Sequence, residues 1–155
     1  MSKLTVSRDA PLQEITLRRY EKPCGLERRE LVRKLCLSSG LLQPGDSRDI
    51  IVDVLFSLLR AKKESKELSS EEVRTHVIGL REEYKLSLNG AASSNIRRQL
   101  KRLRDMHLVE KVKNNYRINE FESVSAIFNE KIKQFLLVSV LDRVQDYCRK
   151  IDEEF

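Results

Sequence analysis

Basic side chains at helical spacing are the residues of this chain whose chemistry is easiest to interpret. Residues 93–119 read SSNIRRQLKRLRDMHLVEKVKNNYRIN, in which Ile96, Leu100 and Leu103 recur on one helix face. The remaining faces carry five cations: Arg97, Arg98, Lys101, Arg102 and Arg104. The spacing predicts a helix with one buried stripe and a basic exterior, which is suited to binding phosphate groups.

Charge is unevenly distributed along the chain. The 155 residues carry a formal net charge of +6, and residues 89–118 alone hold 8 basic and 2 acidic side chains. Residues 1–88 hold 17 and 14, and residues 119–155 hold 5 and 8, so the two flanks cancel each other. A concentrated excess favours a polyanionic partner, because each neutralised phosphate releases condensed counterions. A solvated charged face remains the alternative.

Composition is typical of a soluble globular protein, with 40% hydrophobic and 35% charged residues. The longest apolar run, FLLVSVL at 135–141, is far shorter than the roughly 20 residues of a membrane span. The first residues, MSKLTVSRDAP, lack the apolar region of a secretory signal. We therefore expect a cytoplasmic, nucleoid-associated protein with no membrane partner.

Catalytic and metal-binding motifs are not evident. The sequence contains no glycine-rich phosphate loop and no plausible nucleophile, base and acid set. The residues that could bind a metal are few and widely spaced: Cys24, Cys36, Cys148, His76 and His107. We expect no enzymatic activity, no cofactor and no metal site.

Three further helices are predicted before the basic one. Residues 26–37 are amphipathic and end near Gly40, which can adopt the left-handed conformation that stops a helix. Residues 48–66 follow, with Asp46 and Ser47 as candidate N-caps. Residues 70–84 follow a capping-box pair, Ser69 and Glu72.

The two ends of the basic segment also carry local signals. Ser93 or Ser94 can cap the helix at 94–106. After it, the short runs LVEKV and YRI are separated by residues 113–115, which indicates a hairpin in which Asn114 and Asn115 tolerate positive φ. Residues 1–24 are less regular and fit either a strand or a short helix capped by Asp9.

Residues 121–152 contain no proline or glycine and predict one long helix. Its apolar positions from Leu137 are spaced 4, 3, 4 and 3 apart, the seam of a helix packed on a helix. We expect this seam to form a homodimer, and the alternative is packing on the helices at 26–37 and 48–66. The residues predicted to mediate dimerisation are Phe135, Leu137, Leu141, Val144, Cys148 and Ile151.

The order of helices at 48–66, 70–84 and 94–106, followed by LVEKVKNNYRI, resembles the winged-helix DNA-binding domains of prokaryotic transcriptional regulators. The most similar part is SNIRRQLKRLRDMHLVEKV, where a recognition helix runs directly into a strand. The resemblance implies a mainly α fold with a small β-hairpin: an N-terminal arm and helix at 1–46, a winged helix-turn-helix core at 47–120 and a long helix at 121–155. Two departures are His107, where that family usually has glycine, and a longer connector before the recognition helix.

The resemblance implies sequence-dependent binding of double-stranded DNA by a dimeric transcriptional regulator. A helical wheel directs five residues to the major groove: Ser94, Asn95, Arg98, Lys101 and Arg102. Arg97, Arg104 and the helix N-terminus at Ser93 would contact phosphates. The predicted wing residues are Lys111, Lys113, Asn114, Asn115 and Arg117. The alternative is an interaction subunit of a larger nucleic-acid-associated assembly, and RNA is disfavoured because few aromatic side chains could stack on bases.

Overall fold

A central buried helix organises the protein. The computed structural model describes residues 9–155, which are mainly helical with a small three-stranded antiparallel sheet. The central helix is α2 (Ile50–Lys63), and every residue from Ile50 to Leu58 is buried. A helix that is apolar on most faces is stable only when other elements surround it. Here α2 packs against α1 (Arg28–Ser38), α3 (Ser70–Glu83) and α4 (Ser93–Asp105).

These four helices confirm the helices predicted from periodicity, with ends that differ by at most three residues. The apolar core is continuous from α1 into the later segments, because Val32 and Cys36 belong to the same cluster as the α2 residues. That cluster therefore crosses the predicted boundary at 46/47. Within residues 9–155 no helix is long and apolar enough to cross a membrane.

The sheet contains the predicted hairpin and one strand that the sequence did not predict. The hairpin strands are β2 (Val109–Val112) and β3 (Asn115–Ile118). The additional strand, β1 (Leu68–Ser69), pairs with β3 so that Leu68 lies opposite Tyr116, and the strand order is β1-β3-β2. Two residues are too short a run to show alternation, so this strand has no sequence signature.

The helix ends follow local chemistry. The capping box before α3 is confirmed: Ser69 Oγ accepts a hydrogen bond from the N–H of Glu72 at 3.1 Å, and Glu72 Oε1 accepts one from the N–H of Ser69 at 3.0 Å. Gly40, at φ +78°, ends α1 as predicted. The caps predicted for α2 at Asp46 and Ser47 are wrong, because the N-cap is Asp49 and its side chain makes no cap hydrogen bond.

Asp49 instead belongs to a buried ionic cluster that joins three helices. Arg29 of α1 donates to Asp53 Oδ1 at 2.9 Å and to Asp49 Oδ2 at 3.1 Å. Arg81 of α3 donates to Asp49 Oδ1 at 3.0 Å and to Asp53 Oδ2 at 2.7 Å. Each carboxylate thus contacts both guanidinium groups, which offsets the cost of removing all four charges from water.

The cluster shifts the ionisation of its members. Burial alone would raise the pKa of Asp49, but hydrogen bonds from Arg81 and Arg29 outweigh it, so this pKa is lowered. Burial alone would lower the pKa of Arg29, but its contacts with Asp53 and Asp49 raise it. Both shifts stabilise the charged forms at neutral pH.

The N-terminal arm lies against the end of α1 without forming a helix or strand over residues 13–24. Arg18 Nη1 donates to the carbonyl oxygens of Leu37 at 2.9 Å and Leu42 at 3.2 Å. A Cβ at Gly40 would lie 2.7 Å from Thr16 O, so this glycine is also required for the close approach of the arm. The two alternatives predicted for residues 1–24, a strand and a short helix, are both wrong over residues 13–24, and residues 1–8 of that prediction lie outside the described residues.

The chain ends in one continuous helix, as predicted. It comprises α5 (Val124–Ile127), a π-helical segment (Phe128–Leu136) and α6 (Leu137–Glu154). Ile132 and Leu136 of the π-helical segment are buried, whereas α6 has no buried residue. The alternative in which the seam packs on α1 and α2 is therefore wrong for α6, and dimerisation stays a prediction.

Replacing Asp49 with asparagine tests the ionic cluster. Asparagine keeps the shape but removes a charge that accepts from two arginines, so we expect the free energy of unfolding at pH 7 to fall by about 1.5–3 kcal/mol. The pKa of Asp49 is lowered in the folded state, so the carboxylate stabilises above its ordinary pKa of 3.8 and this contribution is lost as pH falls through the lowered value. The difference from wild type should be constant near neutral pH and shrink below about pH 4.

Urea denaturation at pH 7 and pH 3 measures both effects. The matched control is Asp46→Asn, because Asp46 accepts one hydrogen bond, from the N–H of Arg48 at 2.9 Å. Equal losses in the two variants would contradict a special role for the cluster.

Candidate nucleic-acid interface

The helix α4 is fixed to the core by its apolar stripe. Ile96, Leu100 and Leu103 are all 0% exposed and belong to the main hydrophobic core. Through this stripe α4 packs against α2 and α3. The predicted buried stripe is therefore confirmed. The opposite side of α4 is held toward solvent by the rigidity of the helix.

Four exposed cations form what we call the α4 basic face: Arg97, Arg98, Lys101 and Arg104. Lys101 Nζ lies 3.1 Å from Asp105 Oδ2, in an exposed i,i+4 pair. Among residues 9–155, the other three members have no ion-pair partner. Ser94 is exposed on the same side of the helix. An anion approaching this face would therefore meet three unneutralised guanidinium groups.

Two of the predicted groove residues, Asn95 and Arg102, are not on this face. Arg102 Nη2 donates to Leu41 O at 2.6 Å, and its Nη1 donates to Gln99 Oε1 at 2.9 Å. Gln99 Nε2 donates to Asn95 Oδ1 at 3.0 Å, and Asn95 Nδ2 donates to Gly90 O at 2.7 Å. The wheel that directed both residues to solvent is wrong for them, because residues 41–50 cover this flank of the helix.

A wheel centred on the apolar stripe places Arg97 and Arg104 at the edge of the buried face. Both side chains are exposed. A wheel built from apolar positions alone treats the stripe as the centre of the buried face. Residues 41–50 lie against only one flank of α4, the flank that carries Arg102. The centre of the solvent-exposed side is therefore displaced toward Arg97 and Arg104.

The start of α4 has no side-chain cap. The N-cap is Ala92, which has no side-chain acceptor, and neither predicted cap residue occupies this position. Ser93 lies inside the helix, and its hydroxyl donates to Glu71 Oε1 at 2.9 Å. The first helical N–H groups thus gain no cap hydrogen bond from a side chain, and they keep the partial positive charge of the helix end.

The hairpin presents two lysines. Lys113 is exposed in the turn and has φ +57°, so the positive angle falls there and not at Asn114 or Asn115. Asn114 is exposed in the turn, while Asn115 belongs to β3 opposite Val112. Lys111 is exposed, with Nζ 5.7 Å from the centre of the Tyr116 ring.

Arg117, the remaining predicted wing residue, is half-buried and paired within the chain. Its Nε lies 2.6 Å from Glu110 Oε1, and its Nη1 lies 3.7 Å from Glu67 Oε2. Glu67 adjoins β1, so this pair links the outer strands across β3. The charge of Arg117 is therefore neutralised by two carboxylates, unlike that of Lys113.

His107 ends α4 in the left-handed conformation, at φ +62°. Its N–H donates to Arg104 O at 2.9 Å, and the N–H of Leu108 donates to Leu103 O at 3.2 Å. This pair of bonds is the Schellman motif, in which glycine is the favoured residue. The chain thus forms the turn that glycine usually forms, at the steric cost of a side chain.

A cavity beside α4 brings in a residue that the sequence did not indicate. It has a volume of about 620 Å³ and lies between residues 41–51 and the flank of α4. Arg48 and Arg98 both line it, although they are 50 positions apart in the sequence. Arg48 stands in a short loop with no periodicity, so no local pattern could have associated it with α4.

Comparisons of the chain with protein-family models, with curated proteins and with solved structures find no match. Within residues 9–155 no group of three or more histidine, cysteine or acidic side chains is arranged to hold a metal ion.

Replacing His107 with glycine tests the turn after α4. Glycine adopts positive φ without a steric penalty, so we expect the free energy of unfolding to rise by about 1 kcal/mol. The matched control is His76→Gly, an exposed position inside α3, which should destabilise by about 1 kcal/mol. Chemical denaturation of both variants measures the two changes, and a loss of stability at position 107 would contradict the steric account.

Proposed function

We propose that this protein binds double-stranded DNA through the α4 basic face and the hairpin, as a dimeric transcriptional regulator. The observation that carries the proposal is the α4 basic face itself, in which Arg97, Arg98 and Arg104 are exposed and unneutralised on a helix held rigidly by the core. A protein that used these cations only for solubility would gain as much from dispersed charges. Concentration on one helix favours a partner with regularly spaced phosphates.

The order of elements supports a winged helix-turn-helix arrangement. The chain runs α2, β1, α3, α4, β2 and β3, and the strands pair in the order β1-β3-β2. In such an arrangement α4 is the recognition helix and the β2–β3 hairpin is the wing. The apolar stripe of α4 contacts α2 and α3, so its basic face is the side available to a major groove.

The exposed residues divide by their expected roles. Arg98 and Lys101 are directed to the base edges, where arginine can donate two hydrogen bonds to guanine. Arg97 and Arg104 contact phosphates. Lys111, Lys113 and Asn114 grip the adjacent backbone. Asn95 and Arg102 act indirectly, because their hydrogen bonds fix the angle of α4.

The variant Arg98→Ala tests the proposed base contact. Loss of a bidentate contact should weaken binding to the preferred duplex by about 1–3 kcal/mol and relax selection at one base pair. Selection of duplexes from a random pool identifies the preferred site, and fluorescence anisotropy at several salt concentrations measures affinity. Arg97→Ala should instead weaken binding to all duplexes similarly and lower the slope of log affinity against log salt concentration by about 1.

The matched control is Arg60→Ala, which removes an exposed guanidinium from the far part of α2. Affinity should be unchanged in this variant. Unchanged affinity in Arg98→Ala and Arg97→Ala would count against the proposal, and so would failure of the wild type to bind any duplex at low salt.

We also propose that α6 forms a homodimer through its apolar seam. Leu141, Val144 and Ile151 are 56–57% exposed, and they recur on one side of a helix that has no buried residue. On the other sides, charges are paired within the helix, as between Arg143 and Asp146 at 3.4 Å. A second copy would cover the seam without opposing uncompensated charges. Two basic faces on one dimer would favour a pseudo-palindromic site.

The variant Val144→Glu tests the homodimer. A carboxylate in the centre of the seam would be buried beside its counterpart, so we expect light scattering to report a monomer at concentrations where wild type is dimeric. Circular dichroism should remain unchanged, because residue 144 is exposed in the single chain. The control is Asp142→Glu, on the charged side. A dimer that persists in Val144→Glu would exclude this seam as the interface.

The exposed seam is also the observation that favours the alternative function, an interaction subunit of a larger nucleic-acid-associated assembly. In that case α6 would pack on a different protein. A wild-type protein that is monomeric and binds no duplex at low salt would favour this alternative over the DNA-binding dimer.

A further inference from the structure

The cavity beside α4 has a preformed floor. Ile50 and Ile51, the first residues of α2, line it and are each 2% exposed. The hydrogen bonds from Arg102 to Leu41 O and from Asn95 to Gly90 O fix its walls. Gly90 has φ +91°, and a Cβ there would lie 3.0 Å from Ile50 Cγ1. The cavity therefore keeps its shape without a ligand, as binding sites generally do.

Positive charge dominates the lining. Arg48, Arg98 and Arg102 contribute three guanidinium groups, against one carboxylate, Asp46. Asp46 accepts a hydrogen bond from the backbone N–H of Arg48 at 2.9 Å. Among residues 9–155, neither Arg48 nor Arg98 has an ion-pair partner. The cavity thus combines a net positive charge with donors that have no intramolecular acceptor.

The available donors fit an oxyanion better than an apolar ligand. Guanidinium groups donate two parallel hydrogen bonds to phosphate oxygens. Arg48 lines the cavity from the loop before α2 and Arg98 lines it from α4, so both guanidinium groups border the same space.

We propose that this cavity is a phosphate-binding site in which Arg48 donates to the anion, Arg98 adds positive charge at the edge and Arg102 fixes the wall. The phosphate belongs either to the backbone of a bound duplex or to a small phosphorylated compound. The first source deepens the proposed function, because it adds residues 41–51 to the DNA-binding surface on the flank of α4. A small phosphorylated compound bound in the cavity would lie beside Arg98 and would therefore compete with DNA.

The experiment compares wild type with Arg48→Ala in two arms. In the first, inorganic phosphate is titrated into ¹⁵N-labelled full-length protein, with sodium chloride at the same ionic strength as reference. We expect phosphate to shift the amide resonances of residues 48 and 90, and these shifts to be lost in Arg48→Ala. Arg60→Ala, whose arginine lines a different groove, should retain them.

In the second arm, duplex affinity is measured against salt concentration. If the phosphate is part of the DNA backbone, Arg48→Ala should bind about tenfold more weakly to all duplexes and its salt slope should fall by about 1. An unchanged slope, together with lost phosphate shifts, would retain the phosphate site and assign it to a small phosphorylated compound.

The proposal is overturned if Arg48→Ala changes neither the phosphate-induced shifts nor the salt slope. Failure of the wild type to bind DNA would instead overturn the proposed function, and the first arm would still decide whether the cavity binds phosphate.

Discussion

The ionic cluster of Arg29, Asp49, Asp53 and Arg81 is the interaction on which the remaining structure depends. It joins α1, α2 and α3 at one point, and the side chain of Asp53 is 0% exposed. Arg81 Nε also donates to the carbonyl oxygen of Ser87, which anchors the connector that leads into α4. Apolar contacts would tolerate several relative rotations of these helices, whereas fixed pairs of charges favour one. The position of α4 therefore follows from the cluster as well as from its own apolar stripe.

The arginines and lysines discussed above fall into two groups, those that donate to acceptors within the chain and those that remain exposed. Net charge does not distinguish the two. Arg29, Arg81, Arg102 and Arg117 donate to acceptors within the chain and orient helices or strands. The α4 basic face keeps most of its charge unneutralised. Because the first group is buried or half-buried, its members are costly to replace and unavailable to a ligand. Of the 8 cations within residues 89–118, Arg102 and Arg117 are therefore unavailable to a polyanion.

Periodicity and capping signals predicted what depends on local chemistry. The stripe of Ile96, Leu100 and Leu103, the capping box at Ser69 and the stop at Gly40 act within one or two helical turns, so the sequence contains the necessary information. The errors involve partners distant in the chain. The N-cap of α2 is Asp49 and not Asp46 or Ser47, and its side chain pairs with Arg29 and Arg81 instead of capping the helix. Arg102 faces inward because Leu41 supplies an acceptor 61 residues away. The two-residue strand at Leu68 exists only because β3 pairs with it.

The C-terminal helix connects the core to the surface proposed for dimerisation without a flexible joint. Ile127 and Ile132 are buried at its base, and the helix continues through the π-helical segment into α6 with no break. A dimer formed by α6 would therefore fix the separation of the two basic faces, and with it the spacing of the half-sites. The orientation of the two helices decides which residues of the seam meet. In a parallel pair Cys148 would face its counterpart, whereas in an antiparallel pair centred on Asp146 it would face Val144. The second arrangement places the two basic faces at opposite ends of the paired helices, so the two orientations predict different half-site spacings.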